Sequence, residues 1–164
     1  TSTPPKARNN TLLIIKETTM KKQILTILVA VLSVFSAQAQ NYSGIPQNAK
    51  EYIAKHFKGY NISHYEKESE ILDVEHKVYV TQNSVSFKLD FDKKGNVTDI
   101  ESLDDKTPLP NSVLPVKITQ HAKAKFPNAK IIEWKRKKNT QVVELTNDME
   151  LVFNSKGDFL RIDD

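Results

Sequence analysis

The chain has 164 residues, no cysteine, 27% charged and 38% hydrophobic residues, an ordinary globular composition large enough for one medium domain or two very small ones. Without cysteine it has no disulfide and no thiol nucleophile. The formal charge of +4 belongs to the first 39 residues, which hold Lys6, Arg8, Lys16, Lys21 and Lys22 against Glu17; residues 40–164 balance 19 cations with 19 anions, so the net charge gives no case for a nucleic-acid partner.

Residues 1–19 mix Pro4-Pro5 with a short apolar patch, Leu12 to Ile15, ahead of Met20, and read as an upstream extension and not as a domain. Residues 20–39 read as a signal peptide: a cationic start, Met20-Lys21-Lys22, an apolar run from Ile24 to Phe35, and a small-x-small cleavage pattern, Ala37-Gln38-Ala39. As a helix that run spans about 18 Å, short of a bilayer core of about 30 Å. The expected product is periplasmic or secreted, with no stable membrane anchor after cleavage.

The rest of the chain repeats itself. Ile45-Pro46 and Leu114-Pro115 open two segments 69 residues apart, and the same offset pairs Phe57 with Phe126, Ile62 with Ile131 and Tyr65 with Trp134. Later the offset becomes 62, pairing Leu89-Asp90-Phe91 with Leu151-Val152-Phe153, Lys94-Gly95 with Lys156-Gly157, and Ile100 with Ile162. The seven-residue change is expected in a longer connection around Glu68 to Glu75. The boundaries that follow are 45–101 for the first repeat, 102–112 for a linker stiffened by Pro108 and Pro110, and 113–163 for the second repeat.

Each repeat opens with a proline expected in the first turn of a helix. Ala49, Ile53 and Phe57 then recur every four residues, as do Ile118, Ala122 and Phe126, which predicts an amphipathic helix of about three turns. Four strands follow in each copy. The first copy predicts them at 61–66, 77–81, from Val85 and at 97–101, and the second at 130–136, 140–146, from Met149 and at 159–163. Val85, Phe87, Leu89 and Phe91 alternate with Ser86, Lys88, Asp90 and Asp92, the period of a sheet with one buried face. Gly95 and Gly157 supply positive φ for tight turns. The fold class is α+β: two tandem repeats, each one helix packed on an antiparallel four-stranded sheet. At about 55 residues each copy is marginal alone, so the two should share an interface or continue one sheet.

The order of Leu114-Pro115, Lys125-Phe126-Pro127-Asn128-Ala129, Glu144-Leu145 and Glu150-Leu151-Val152-Phe153-Asn154-Ser155-Lys156-Gly157 resembles the PepSY-like family of small periplasmic proteins, also described as beta-lactamase-inhibitor-like. The first copy departs from it at Phe57-Lys58-Gly59-Tyr60. The resemblance covers nearly all of residues 45–163 and implies tandem α+β repeats with a protein-binding or peptidase-modulating role. It carries over no catalytic residue.

Candidate sites are few. Asp90 to Glu101 has the spacing of a calcium loop, but Lys94 stands where a ligand oxygen belongs and the flanks alternate like strands, so a hairpin turn is the expected structure, with weak calcium binding the alternative. Lys135, Arg136, Lys137 and Lys138 form a basic run after Trp134, opposed in the first copy by the acidic stretch Glu66 to Glu70; such a dipole would orient a protein partner. Tyr65 and Trp134 each suit either the core or an exposed anchor. His56, His64, His76 and His121 are scattered without ligand spacing and read as surface or half-buried polar residues. No nucleophile motif, phosphate-cradling glycine loop or cofactor signature is present. The expected function is a non-catalytic exported binding protein for a protein or peptide partner. The alternative is a small-molecule or ion binder using the groove between the repeats.

Overall fold

A computed structural model describes residues 42–71 and 73–163, so the segments 1–19 and 20–39 discussed above lie outside the described residues. Two units are distinguished along the chain, Thr1–Asn41 and Tyr42–Asp164, and the described residues belong to the second.

Helices α1 (Gln47–His56) and α2 (Val116–Lys125) begin one residue after Pro46 and Pro115. Both prolines were expected inside the first turn. Instead each stands just before it in extended backbone, ψ 148° and 136°, and offers its carbonyl to the helix, Pro46 to the Lys50 N–H at 3.1 Å and Pro115 to the Thr119 N–H at 3.2 Å. Each helix buries an Ala and an Ile on one face and ends on a phenylalanine whose N–H still reaches back four residues, Phe57 to Ile53 and Phe126 to Ala122, both 2.8 Å. Lys55, and likewise Lys123 and Lys125, put positive charge at the C-terminal ends, where the helix dipole favours it.

Strands β1 (Asn61–Ser69), β2 (Val74–Gln82), β3 (Val85–Asp92) and β4 (Val97–Ser102) follow α1; β5 (Ile131–Arg136), β6 (Thr140–Leu145), β7 (Glu150–Asn154) and β8 (Phe159–Asp163) follow α2. All eight form one antiparallel sheet in sequence order, β4 pairing with β5 through Ile100 and Trp134. The two expected four-stranded sheets are thus two halves of one.

Register makes the core readable as a line. Tyr65, Val78, Leu89, Ile100, Trp134, Val143, Leu151 and Ile162 are successive cross-strand partners from one edge to the other. Phe87, Phe91 and Phe153 share that face and meet the helices: Phe57 packs on Phe87 and Tyr52 edge-on against Phe91, while His121 meets Phe153 edge-on. Both helices therefore cover the same face.

The extra residues of the first copy are not all in one place. Tyr65 pairs with Val78 where Trp134 pairs with Val143, which puts four of them in the first hairpin; Val78 pairs with Leu89 where Val143 pairs with Leu151, which puts three in the second. They lengthen strands instead of making a loop: Glu68 and Glu75 are themselves a cross-strand pair. Paired backbone is satisfied by its partner strand, whereas a longer loop would leave those groups to water. The linker is organised too, since the Asp104 carboxylate accepts from Lys106 N–H, Thr107 N–H, Thr107 Oγ1 and Ser102 Oγ.

Candidate functional site

With the helices on one face, the other carries the alternate residues of all eight strands and no described element covers it. Two lines of cross-strand partners cross this face. One runs Glu66, Lys77, Asp90, Asp99, Lys135, Val142, Val152, Arg161; the other runs His64, Tyr79, Lys88, Glu101, Glu133, Glu144, Glu150, Asp163. The second line ends in five acidic residues on five neighbouring strands.

Cations neutralise only part of it. Lys88 bonds Glu101, Arg161 Nε bonds Asp163 at 2.7 Å, and Lys135 Nζ bridges Glu133 at 2.5 Å and Asp99 at 3.0 Å. Among the described residues no cation bonds Glu144 or Glu150. Burial, then the adjoining Glu133, then Glu150 and Asp105 hold the Glu144 carboxyl above its ordinary range. Burial alone would lower Lys135, but its two carboxylate partners hold it above the usual lysine range.

Asp90 and Asp99 face each other across β3 and β4 and are only 6% and 5% exposed, yet Oδ1 of each has no hydrogen-bond partner. Burial raises both carboxyls, Asp90 to about 6 even with Lys88 and Lys77 nearby. Such groups cost stability unless something answers their charge. The calcium-loop reading of this segment does not hold in linear form. Asp92 accepts from the N–H groups of Lys94 and Asn96 and from Asn96 Nδ2, closing a hairpin turn on Gly95 at φ 81°. Among the described residues no three His, Asp or Glu groups gather as metal ligands.

The residues singled out in sequence are dispersed. Trp134 is 5% exposed and belongs to the core, donating Nε1–H to Gln141 Oε1 at 3.0 Å; it offers no exposed anchor, because β4 and β6 flank it on both sides. Tyr65 lies half-buried on the helix-bearing face, its hydroxyl 2.8 Å from both the Gly44 carbonyl and His76 Nδ1. Since the carbonyl only accepts, the tyrosine proton goes there and His76 donates through Nδ1–H. His76 is buried at 5% exposure, more deeply than expected. His56 and His121 are half-buried, and His64 is exposed beside Glu66.

The basic run separates by strand alternation. Lys135 lies on the far face within its acidic cage, while Arg136 donates to the Val97 carbonyl at 2.6 Å. Arg136, Lys137, Lys138 and Lys156 line an open groove of about 360 Å³ beside Trp134. Sequence reasoning missed the acidic line, whose members are scattered over residues 101–163. The local turn signal pointed elsewhere: a two-residue turn at Asn147-Asp148 would set Glu144 opposite Leu151, whereas the three-residue turn Thr146 to Asp148, with Asp148 at φ 63°, sets it opposite Glu150.

The family model described as "Putative beta-lactamase-inhibitor-like, PepSY-like" matches the chain twice, at residues 37–99 and 75–161. A Bacteroides thetaiotaomicron crystal structure, named as a putative calcium-regulated periplasmic protein, is 30% identical over 74% of this chain and 92% of its own, with a TM-score of 0.67. A Bacteroides vulgatus putative periplasmic protein is 28% identical over 73% of this chain and 91% of its own, TM-score 0.65. Another from the same species, of unknown function, shares the fold at 23% identity and TM-score 0.68, covering 77% and 97%. A comparison with curated protein sequences finds no match. Among the described residues no helix is long and apolar enough to cross a membrane. A sheet of two fused helix-plus-four-strand repeats, the doubled family match and these relatives agree: the chain is a periplasmic protein of the PepSY-like family.

Proposed function

We propose that the protein is a non-catalytic binding module that docks a protein or peptide partner on the sheet face opposite its helices, and so modulates a peptidase or another envelope protein. The observation that carries this reading is the far face itself. It presents eight strands of polar and charged side chains, with a half-buried and a buried valine, Val142 and Val152, at its centre and unanswered carboxylates beside them. A surface that sets apolar contact in a polar surround is suited to a macromolecular partner. The basic groove at Lys137 and Lys138 would then steer approach through long-range charge.

Photo-crosslinking in the periplasm tests this. A benzophenone side chain in place of Lys88 or Val142 should capture one discrete partner, and the same group in place of Lys50 or Lys123 on the helices should not. Capture from the helix positions alone would move the interface to the other side.

A second reading is calcium binding. It is favoured by the partnerless oxygens of Asp90 and Asp99 and by the calcium-regulated description of the 30% identical relative. Calcium at about 1 mM, the range of weak extracellular sites, should then raise the unfolding midpoint, and Asp99→Asn should abolish the rise.

A further inference from the structure

Resting on the proposed far-face interface, we infer that its partner is cationic: an extended lysine- or arginine-rich segment laid across the strands over Glu101, Glu133, Glu144, Glu150 and Asp163. Adjacent strands lie about 4.8 Å apart, so these five carboxylates span roughly 19 Å. An extended peptide of about six residues covers that length.

Three of the five already hold cations, Lys88 on Glu101, Lys135 on Glu133 and Arg161 on Asp163, while Glu144 and Glu150 have none among the described residues. The repeat sharpens this. Register makes His64, Tyr79, Lys88 and Glu101 the first-copy counterparts of Glu133, Glu144, Glu150 and Asp163. One copy mixes an imidazole, a phenol, a cation and an acid; the other has acids at all four positions. The repeat's core needs no such line, because the first copy does without it.

An independent observation points the same way. The Asp99 side chain, 7% exposed and flanking the line through the shared Lys135, gives Oδ2 to that lysine and keeps Oδ1 without a partner. A single metal ion fits this arrangement less well than a polycation. The carboxylates are strung along a line, no three His, Asp or Glu groups converge among the described residues, and Lys135 occupies the point nearest Asp99 and Glu133.

The test is fluorescence anisotropy of labelled hexalysine and hexaglutamate with the exported protein, in low salt and near physiological ionic strength. Hexalysine should bind, hexaglutamate should bind more weakly, and added salt should reduce the difference. Glu144→Gln with Glu150→Gln should weaken hexalysine about tenfold or more. Glu51→Gln, an exposed acid on α1 and so on the helix side, should not weaken it. Circular dichroism confirms that each variant is folded. Equal binding of both peptides, no effect of the Glu144 and Glu150 changes, or complete displacement by about 1 mM calcium would overturn the inference. If hexalysine fails while crosslinking from Val142 persists, the interface stands and its cationic partner falls; if both fail, both readings fall.

Discussion

Strands β1 and β5 hold the same position in two copies of one unit, and their aromatic residues have different fates. Tyr65 lies on an edge strand, with β2 beside it and a half-buried ring. Trp134 lies between β4 and β6, paired with Ile100 and Val143, at 5% exposure. Joining the copies edge to edge turned the second copy's outer strand into an interior one, so one repeat position became half-exposed in one copy and core in the other. Burial here is a property of place in the sheet as much as of the repeat. Trp134→Ala should therefore cost about 3–5 kcal/mol, both by emptying the seam and by orphaning Gln141 Oε1. Tyr65→Ala should cost about half as much, because less apolar area leaves water there. Urea unfolding of the two variants measures the contrast, and equal losses would break it.

The two glycine turns extend the comparison. Gly95 and Gly157 have nearly the same φ, 81° and 80°, so alanine at either carries a left-handed penalty of about 1–2 kcal/mol. Their surroundings differ. A Cβ on Gly95 would come within 2.8 Å of Pro46 Cβ and 2.9 Å of the Ala49 backbone nitrogen, whereas one on Gly157 would meet Lys117 Cβ at 3.4 Å. The first hairpin is pressed against the start of its helix; the second stands slightly off. Gly95→Ala should cost about 2–4 kcal/mol, the strain and the overpacking together, and Gly157→Ala only the strain. Matching thermal midpoints for the two variants would show that the first turn yields freely.

Asp90 and Val152 also occupy one repeat position, both buried on the far face, at 6% and 2% exposure. The second copy shows that an apolar side chain serves there, and the first pays for a carboxylate. Burial, then the neighbouring Asp99 and Glu75, raise Asp90 to about 6 against the pull of Lys88 and Lys77. A carboxyl raised on folding binds its proton more tightly in the native state. Its stability contribution is full below the unfolded value near 4 and is lost as pH rises through 6. Two pKa units correspond to about 3 kcal/mol, an upper figure for so crowded a group. Asp90→Asn should accordingly stabilise the protein by about 1–3 kcal/mol at pH 7.5 and lose that advantage near pH 4. A pH-independent effect, or destabilisation at pH 7.5, would mean that the ionised carboxylate is better satisfied than its surroundings suggest.

These cases show where the sequence was readable. Alternation from Val85 to Phe91 assigned Asp90 to the correct face of β3, and the glycines announced their turns, because both signals are local. Burial of Asp90 was not readable, since its cross-strand neighbours Lys77 and Asp99 come from β2 and β4, which the local pattern of β3 does not reveal. The acidic line was hidden for the same reason. Its members come from five strands, and irregular pairings at Ile131/Glu133 and Val152/Phe153 shift which residues align. The basic run divides for the opposite reason: adjacent in sequence, Lys135 and Arg136 separate to different surroundings because side chains alternate along a strand.

The smallest contrast separates two ways of making one contact. Asn48 and Lys117 are equivalent positions in the first turns of α1 and α2, and each ties its helix to the hairpin turn that closes its own repeat. Asn48 Nδ2 donates to the Lys94 carbonyl at 3.0 Å; Lys117 Nζ meets Asp158 Oδ1 at 2.8 Å. The acid and amide in those turns are exchanged, Asp92 with Asn96 in one and Asn154 with Asp158 in the other, so only the second turn places a carboxylate within reach of the helix lysine. Both tethers are exposed, so each contributes little to stability. Salt tells them apart. The loss on Lys117→Ala should shrink toward zero in about 1 M sodium chloride, where screening reaches within about 3 Å, while the loss on Asn48→Ala should not change. If both losses respond to salt alike, the two turns are held by the same field and the exchange of acid and amide has no energetic meaning.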